Sequence, residues 1–217
     1  MKKIISPSIL NATKSQRMKL VQTLFNLGIK WIHYDFMDGK FVSNTAITTD
    51  EIRKITSKFP NYISDIHLMS YQPEQQIKEI IGFVDYATIH FEALTKEEIY
   101  AIIRKFQNQI KLGIAIKINT KIEEIEEFLP FIDLVLIMSV EPGKGGQEFN
   151  PISLQKISQL RKIIDLHKFN ILIQVDGGIK DFNASQVFKA GANIVVAGTF
   201  LAYRPTKKKI KSLLKTS

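Results

Sequence analysis

The chain contains no cysteine. That absence excludes a disulfide framework, a thiolate metal site and a cysteine nucleophile, and it fits a reducing compartment. No stretch approaches the roughly 20 apolar residues needed to span a bilayer, so no membrane partner is expected. Lys2 and Lys3 ahead of an apolar run resemble the start of a signal peptide, but Ser6, Pro7 and Ser8 interrupt that run too early. The start therefore reads as a mature cytoplasmic protein. Arginine is scarce: Arg17, Arg53, Arg104, Arg161 and Arg204 are the only arginines among 30 basic residues. No nucleic-acid-binding signature accompanies the net charge of +9. Six of those positive charges (Arg204, Lys207, Lys208, Lys209, Lys211, Lys215) lie in the last segment, which holds no acid. Such a segment reads as a solvated helix end, with a polyanion contact as the lesser reading, and no nucleic-acid partner is expected.

What is present is an ordinary globular composition, 45% hydrophobic and 24% charged over 217 residues. Short runs rich in isoleucine, valine and aromatics recur at residues 4–9, 31–36, 63–68, 86–91, 113–118, 134–139, 171–176 and 194–197. Their length and flanking polar or glycine signals predict buried strands. Helical spacing fills residues 14–28, 73–84, 97–110, 122–129, 151–168, 182–190 and 206–215. Thr95 followed by Glu98 forms a capping-box pattern at one helix start. Eight alternating units of about 27 residues predict parallel strands with right-handed crossovers, and fit a (β/α)8 TIM barrel. A doubly wound open sheet is the alternative, but the first strand runs into Ser8-Ile9-Leu10-Asn11 without a glycine fingerprint. One domain is expected over residues 1–217, with a basic C-terminal helix or tail from about residue 204.

Barrel enzymes place their chemistry at the C-terminal ends of strands. His33 and Asp35 share one face of the second strand, His67 ends the third, and Asp176 ends the seventh. A histidine alone in a strand is ordinarily a core or rim group. Two imidazoles and two carboxylates at one end of a barrel make a donor set for one divalent ion such as Zn, Fe, Mn or Co. His90, ending the fourth strand, reads as structural or supporting, and His167 as a helix-end cation without a function. Glycines follow the last three strands: Gly143, Gly145 and Gly146 around Lys144, then Gly177 and Gly178, then Gly198 with Thr199. Each alone reads as a tight turn. Together they predict a phosphate site made by backbone N–H groups, with Lys144 adding a charge. Met37, Met69 and Met138 each stand beside a polar strand end and could form an apolar cover.

The stretches SPSILNA (6–12), WIHYDFMDGKFVSN (31–44), DIHLM (65–69), MSVEPGKGGQEF (138–149), VDGGI (175–179) and VAGT (196–199) resemble the ribulose-phosphate 3-epimerase family. The resemblance runs in order over nearly the whole chain. It implies a barrel of the ribulose-phosphate-binding type and interconversion of D-ribulose 5-phosphate with D-xylulose 5-phosphate. It implies a divalent metal held by His33, Asp35, His67 and Asp176, with Asp35 and Asp176 as acid and base on opposite faces of a phosphorylated ketose. It also implies that Ser8 and His67 touch substrate, that the glycine loops hold its phosphate, and that the protein forms a homo-oligomer. Departures from the family's usual pattern are Ser43, Ile47-Thr48-Thr49, Lys117, Lys144 and Phe200. They leave a six-carbon ketose phosphate such as D-allulose 6-phosphate as the alternative substrate. The decarboxylase pattern DxKxxD is absent, because Met37 follows Asp35 at the lysine position.

Overall fold

The computed structural model describes residues 2–215. The chain alternates β1 (Ile4–Ser6), α1 (Lys14–Asn26), β2 (Trp31–Met37), α2 (Thr49–Lys58), β3 (Ile63–Met69), α3 (Pro73–Ile80), β4 (Tyr86–His90), α4 (Lys96–Phe106), β5 (Lys111–Ile116), β6 (Leu134–Met138), α5 (Ile152–His167), β7 (Leu172–Asp176), α6 (Asp181–Lys189), β8 (Ile194–Val196), α7 (Thr199–Ala202) and α8 (Lys207–Leu214). The eight strands are all parallel, in the order β1-β8-β7-β6-β5-β4-β3-β2. The free edges of β1 and β2 meet through a bridge between Ser8 and His33, with the His33 N–H donating to the Pro7 carbonyl at 3.0 Å. That contact closes the sheet into the predicted barrel.

Every strand forms for the expected reason. The sheet is covered outside by helices and filled inside by side chains, so both faces are apolar and alternation is weak. Outside, Val21 and Leu24 of α1, Ile52 and Ile55 of α2, Ile77 and Ile80 of α3, and Leu160 and Ile164 of α5 share one core with outward residues such as Ile32, Ile66, Val135 and Ile173. Inside, Tyr86, Leu134, Leu136, Met138 and Ile194 make a smaller cluster, with Trp31, Ile63 and Leu172 packed against it. Gly113 is required in β5, because a Cβ there would come within 2.6 Å of the Thr88 hydroxyl.

The predicted segments differ from the structure at α2, at residues 122–129 and at the short helix α7, which no segment with helical spacing covered. Helix α2 was not among the segments with helical spacing, since only Ile52 and Ile55 of its ten residues are buried. Residues 122–129 are not an α-helix but two 3-10 helices, Ile122–Glu124 and Glu126–Phe131, the second containing Pro130. Proline disfavours α geometry in the residue before it, and i→i+3 bonds such as Phe128 N–H to Ile125 O at 3.0 Å replace the α-helical ones. The basic C-terminal segment is a docked helix: Thr206 caps α8, Leu213 is buried, and the Lys209 ammonium donates to the Phe200 and Tyr203 carbonyls at 2.9 and 2.6 Å. The last two residues of that expected segment, Thr216 and Ser217, lie outside the described residues. The Thr95–Glu98 capping box forms as expected.

Tyr34 lies buried on the outward face of β2, and its hydroxyl is 2.6 Å from that of Tyr62. Burial, and then Asp85 nearby, push the Tyr62 phenol up to about 12, against the opposing hydrogen bond from Tyr34. Burial and Tyr62 push Tyr34 well above its ordinary value. A phenol pKa raised by folding contributes stability that is whole below pH ~10 and lost as pH rises through about 12. Denaturant unfolding from pH 9 to 12 is therefore expected to show a loss of about 2 kcal/mol from Tyr62, and Tyr62→Phe is expected to flatten the slope. Equal slopes in the two proteins would refute the assignment.

Candidate active site

In a parallel pair, residues in register present their side chains to the same face. Asp35 of β2 is in register with His67 of β3, and His33 with Asp65. These four point into the barrel together with Gln174 and Asp176 of β7. The His33 Nε2 lies 3.5 Å from Asp35 Oδ1 and 4.0 Å from Asp176 Oδ2, and the His67 Nδ1 lies 3.6 Å from Asp35 Oδ1. One donor atom from each of His33, Asp35, His67 and Asp176 falls within 4.8 Å of the others. The two ring nitrogens facing this cluster, His33 Nε2 and His67 Nδ1, are buried without a hydrogen-bond partner. Buried polar atoms are rarely left so. Two orphaned imidazole nitrogens beside two carboxylates fit a divalent cation.

A further layer of polar groups aims these side chains. Asp65 Oδ2 sits 2.8 Å from His33 Nδ1 and accepts a bond from the Gln174 amide. The His67 Nε2 is 2.8 Å from His90 Nε2, and the His90 Nδ1 is 2.8 Å from Glu92 Oε2. The Ser8 hydroxyl donates to Asp35 Oδ2 at 2.5 Å and accepts from the Leu10 N–H at 3.1 Å. Asp65, Gln174 and Glu92 were missed in the sequence. The signal for the first two was there: each stands two residues before a member of the cluster on the same strand face. His90 takes the supporting position expected of it.

The electrostatics separate the two carboxylates. Burial works to raise Asp35, but the His33 and His67 rings outweigh it and hold it far below the usual carboxylate range. Burial and the Asp35 charge push Asp176 up to about 7, although its side chain keeps 18% of its surface open. Burial works to lower His33, but Asp65 and Asp35 on either side raise it well above its ordinary value. His67 moves the other way, lowered chiefly by burial. The raised His33 reports a negative potential at the point where its Nε2 meets the cluster, which is where a cation would be favoured.

Above the cluster opens a cleft at the C-terminal ends of the strands. The structure brings Ser8, Asp35, Asp176, Gly143, Lys144, Gly145, Gly146, Gly177, Gly178, Gly198 and Thr199 to its walls, with Met37, Met69 and Met138. All three methionines are buried. His33 and His67 lie beneath the cleft rather than on its wall. Two glycines are dictated by close approach: Gly177 and Gly178 have φ of 118° and 61°, and a Cβ on Gly178 would lie 2.2 Å from the Phe149 nitrogen. Asn11 was missed: it lines the cleft, and its amide packs where a Cβ on Gly145 would fall. The loop after β2 folds over one side. Asp38 anchors it through the N–H groups of Lys40, Phe41 and Tyr71, and Asn44 donates to the Gly143 carbonyl at 2.8 Å. The unusual residues of this chain sit mostly apart from the cleft. Thr48 caps α2, Thr49 donates to Glu79 at 2.8 Å, and the Lys117 ammonium lies 4.7 Å over the Phe41 ring.

The family model for the ribulose-phosphate 3 epimerase family matches residues 4–202. The chain is 38% identical over 201 residues to "Ribulose-5-phosphate-3-epimerase, chloroplastic" of Arabidopsis thaliana, covering 90% of this chain and 70% of that protein. It is 36% identical over 207 residues to the ribulose-phosphate 3-epimerase of a Synechocystis species, covering 93% and 88%. Among solved structures, 3-keto-L-gulonate-6-phosphate decarboxylase from Vibrio cholerae superposes with a TM-score of 0.72 at 13% identity, over 99% of this chain and 96% of that one. At that identity the likeness shows the barrel fold alone. By the family match and these relatives together, the chain belongs to the ribulose-phosphate 3-epimerase family.

Proposed function

We propose that this cleft interconverts D-ribulose 5-phosphate and D-xylulose 5-phosphate by inverting C3. The observation that carries the reading is a pair of unlike carboxylates, Asp35 and Asp176, meeting beside two orphaned imidazole nitrogens. The C3 proton is acidic only because the C2 carbonyl can take up the electrons left behind. One group must remove it, and another must return a proton to the opposite face. Asp35, held ionised by His33 and His67, serves as the base. Asp176, across the cluster from Asp35, carries the proton to be delivered. In the reverse reaction the two exchange roles. The Ser8 hydroxyl fixes the Asp35 carboxylate so that one oxygen faces the cluster. His33, Asp35, His67 and Asp176 would hold a divalent ion, and the chemistry it would supply there is Lewis-acid stabilisation of negative charge. Zn, Fe, Mn and Co all suit the donor set.

The substrate phosphate is assigned to Gly143, Lys144, Gly145 and Gly146, Gly177 and Gly178, and Gly198 with Thr199, with Asn11 beside them. Its distance from C3 makes it a source of binding energy that holds the reacting carbon in place. Met37, Met69 and Met138 exclude water from the intermediate. The hexulose phosphate alternative is not favoured: the relatives are named for ribulose phosphate, and Lys117 and Phe200 are not among the residues lining the cleft. A homo-oligomer belongs to the same reading and rests on the family resemblance.

Asp35→Asn and Asp176→Asn are each expected to lower kcat by at least about 10²–10⁴-fold in a coupled epimerase assay. Normal turnover in either would sink the two-carboxylate mechanism. Chelation is expected to abolish turnover, and re-addition of individual divalent metals to restore it; activity indifferent to chelator would remove the metal from the reading. Lys144→Ala is expected to raise KM more than it lowers kcat, and an unchanged KM would take Lys144 off the phosphate.

A further inference from the structure

We infer that Glu92, acting through His90, fixes the tautomer of His67 and thereby sets the metal affinity of the site. The inference rests on the reading that the cluster holds a divalent ion.

His67 Nε2 and His90 Nε2 face each other at 2.8 Å, both rings fully buried. One of these nitrogens must carry the proton and the other must not. The choice is made at the far end of the file. His90 Nδ1 meets Glu92 Oε2 at 2.8 Å. The other Glu92 oxygen, Oε1, accepts from the Lys117 backbone N–H at 2.6 Å and from the Thr120 hydroxyl at 2.5 Å. An ionised carboxylate only accepts, so His90 Nδ1 carries a proton. A neutral His90 then presents a bare Nε2, and His67 must donate from its own Nε2. That leaves the His67 Nδ1 as a bare lone pair, which is the atom 3.6 Å from Asp35 Oδ1 and within the ligand cluster. Reversing the file would put a proton on Nδ1 and close that position to a metal.

His33 is backed directly, since Asp65 stands on its Nδ1 at 2.8 Å and turns Nε2 toward the cluster. Each histidine of the cluster is thus backed by a carboxylate, one at first hand and one through a second imidazole. The His90 ring is also held in place from its face, with the Phe41 ring centroid at 4.6 Å. Such backing carboxylates typically change metal affinity by 10–100-fold.

Glu92→Gln tests the file without removing its bulk. The Lys117 N–H cannot be turned round, so the new amide must keep its oxygen there and direct its NH2 at His90 Nδ1. His90 is then forced to the other tautomer, and so is His67. Long-range proton–nitrogen NMR on the full-length, metal-stripped chain with labelled histidine distinguishes the tautomers, and only four histidines need assignment. The wild type is expected to show His67 protonated at Nε2 and His90 at Nδ1, and Glu92→Gln to show both reversed. Zinc affinity, measured by competition with a chelator at fixed pH, is expected to fall about 10–100-fold in Glu92→Gln. A wild-type His67 protonated at Nδ1 would overturn the inference, and that measurement decides it even where the variant fails to fold. Tight zinc binding by the wild type that is unchanged in Glu92→Gln would overturn it while leaving the metal reading intact. A wild type that binds no zinc, manganese, cobalt or iron would overturn both.

Discussion

The barrel closes at the place where its chemistry is assembled. β1 and β2 are joined by the bridge between Ser8 and His33 and by the bond from His33 N–H to the Pro7 carbonyl. The same two residues reach inward with their side chains. The Ser8 hydroxyl bonds Asp35, and the His33 ring stands between Asp65 and the ligand cluster. A change that loosened this seam would shift the edge of the sheet and two site residues together. The closing contact therefore couples backbone geometry to the position of the site more directly than any helix does.

The cost of this arrangement is a barrel floor crowded with buried polar groups. His33, Asp35, Asp65, His67, His90 and Gln174 are all buried. Burying such groups costs several kcal/mol each unless they are paired. Nearly every contact is an answer to that cost: Gln174 on Asp65, Asp65 on His33, Ser8 on Asp35, and Glu92 on His90. What is left unanswered is confined to a few atoms, and the two that face the cluster are the two ring nitrogens. A cation there would complete the pairing, so metal binding and folding stability are expected to be linked.

How much of this was legible in the sequence depended on whether the signal was periodic or tertiary. The eight strands were legible because each is a short run of β-branched and aromatic residues covered on both faces. His33 and Asp35 were legible because the period of two puts them on one face, and Met37 continues it. The same rule, applied one step toward the strand start, reaches Asp65 from His67 and Gln174 from Asp176. Those two lie below the strand tips, where a polar side chain reads as part of the barrel interior. Glu92 follows no such rule. It lies beyond β4 in the 3-10 helix Phe91–Ala93 and meets Lys117 and Thr120 only through tertiary packing. Helix α2 was illegible for the opposite reason: its start at Thr48 is a good cap, but two buried isoleucines make too short a stripe.

The departures of this chain from its family's usual pattern follow the same division. The residues assigned to metal and proton transfer stand on β2, β3 and β7, where parallel register fixes each Cα against its neighbour. Loop residues are under no such constraint and can change if their new contacts hold the loop in place. Thr48 and Thr49 do this by capping α2 and bonding Glu79. Lys117 does it from across the rim, its ammonium over Phe41 while its backbone N–H holds Glu92. The contact from position 117 to the site is thus made by its backbone, while its side chain serves the rim. Register holds the strand residues and local contacts hold the rim, and both follow from building the chemistry on a closed parallel sheet.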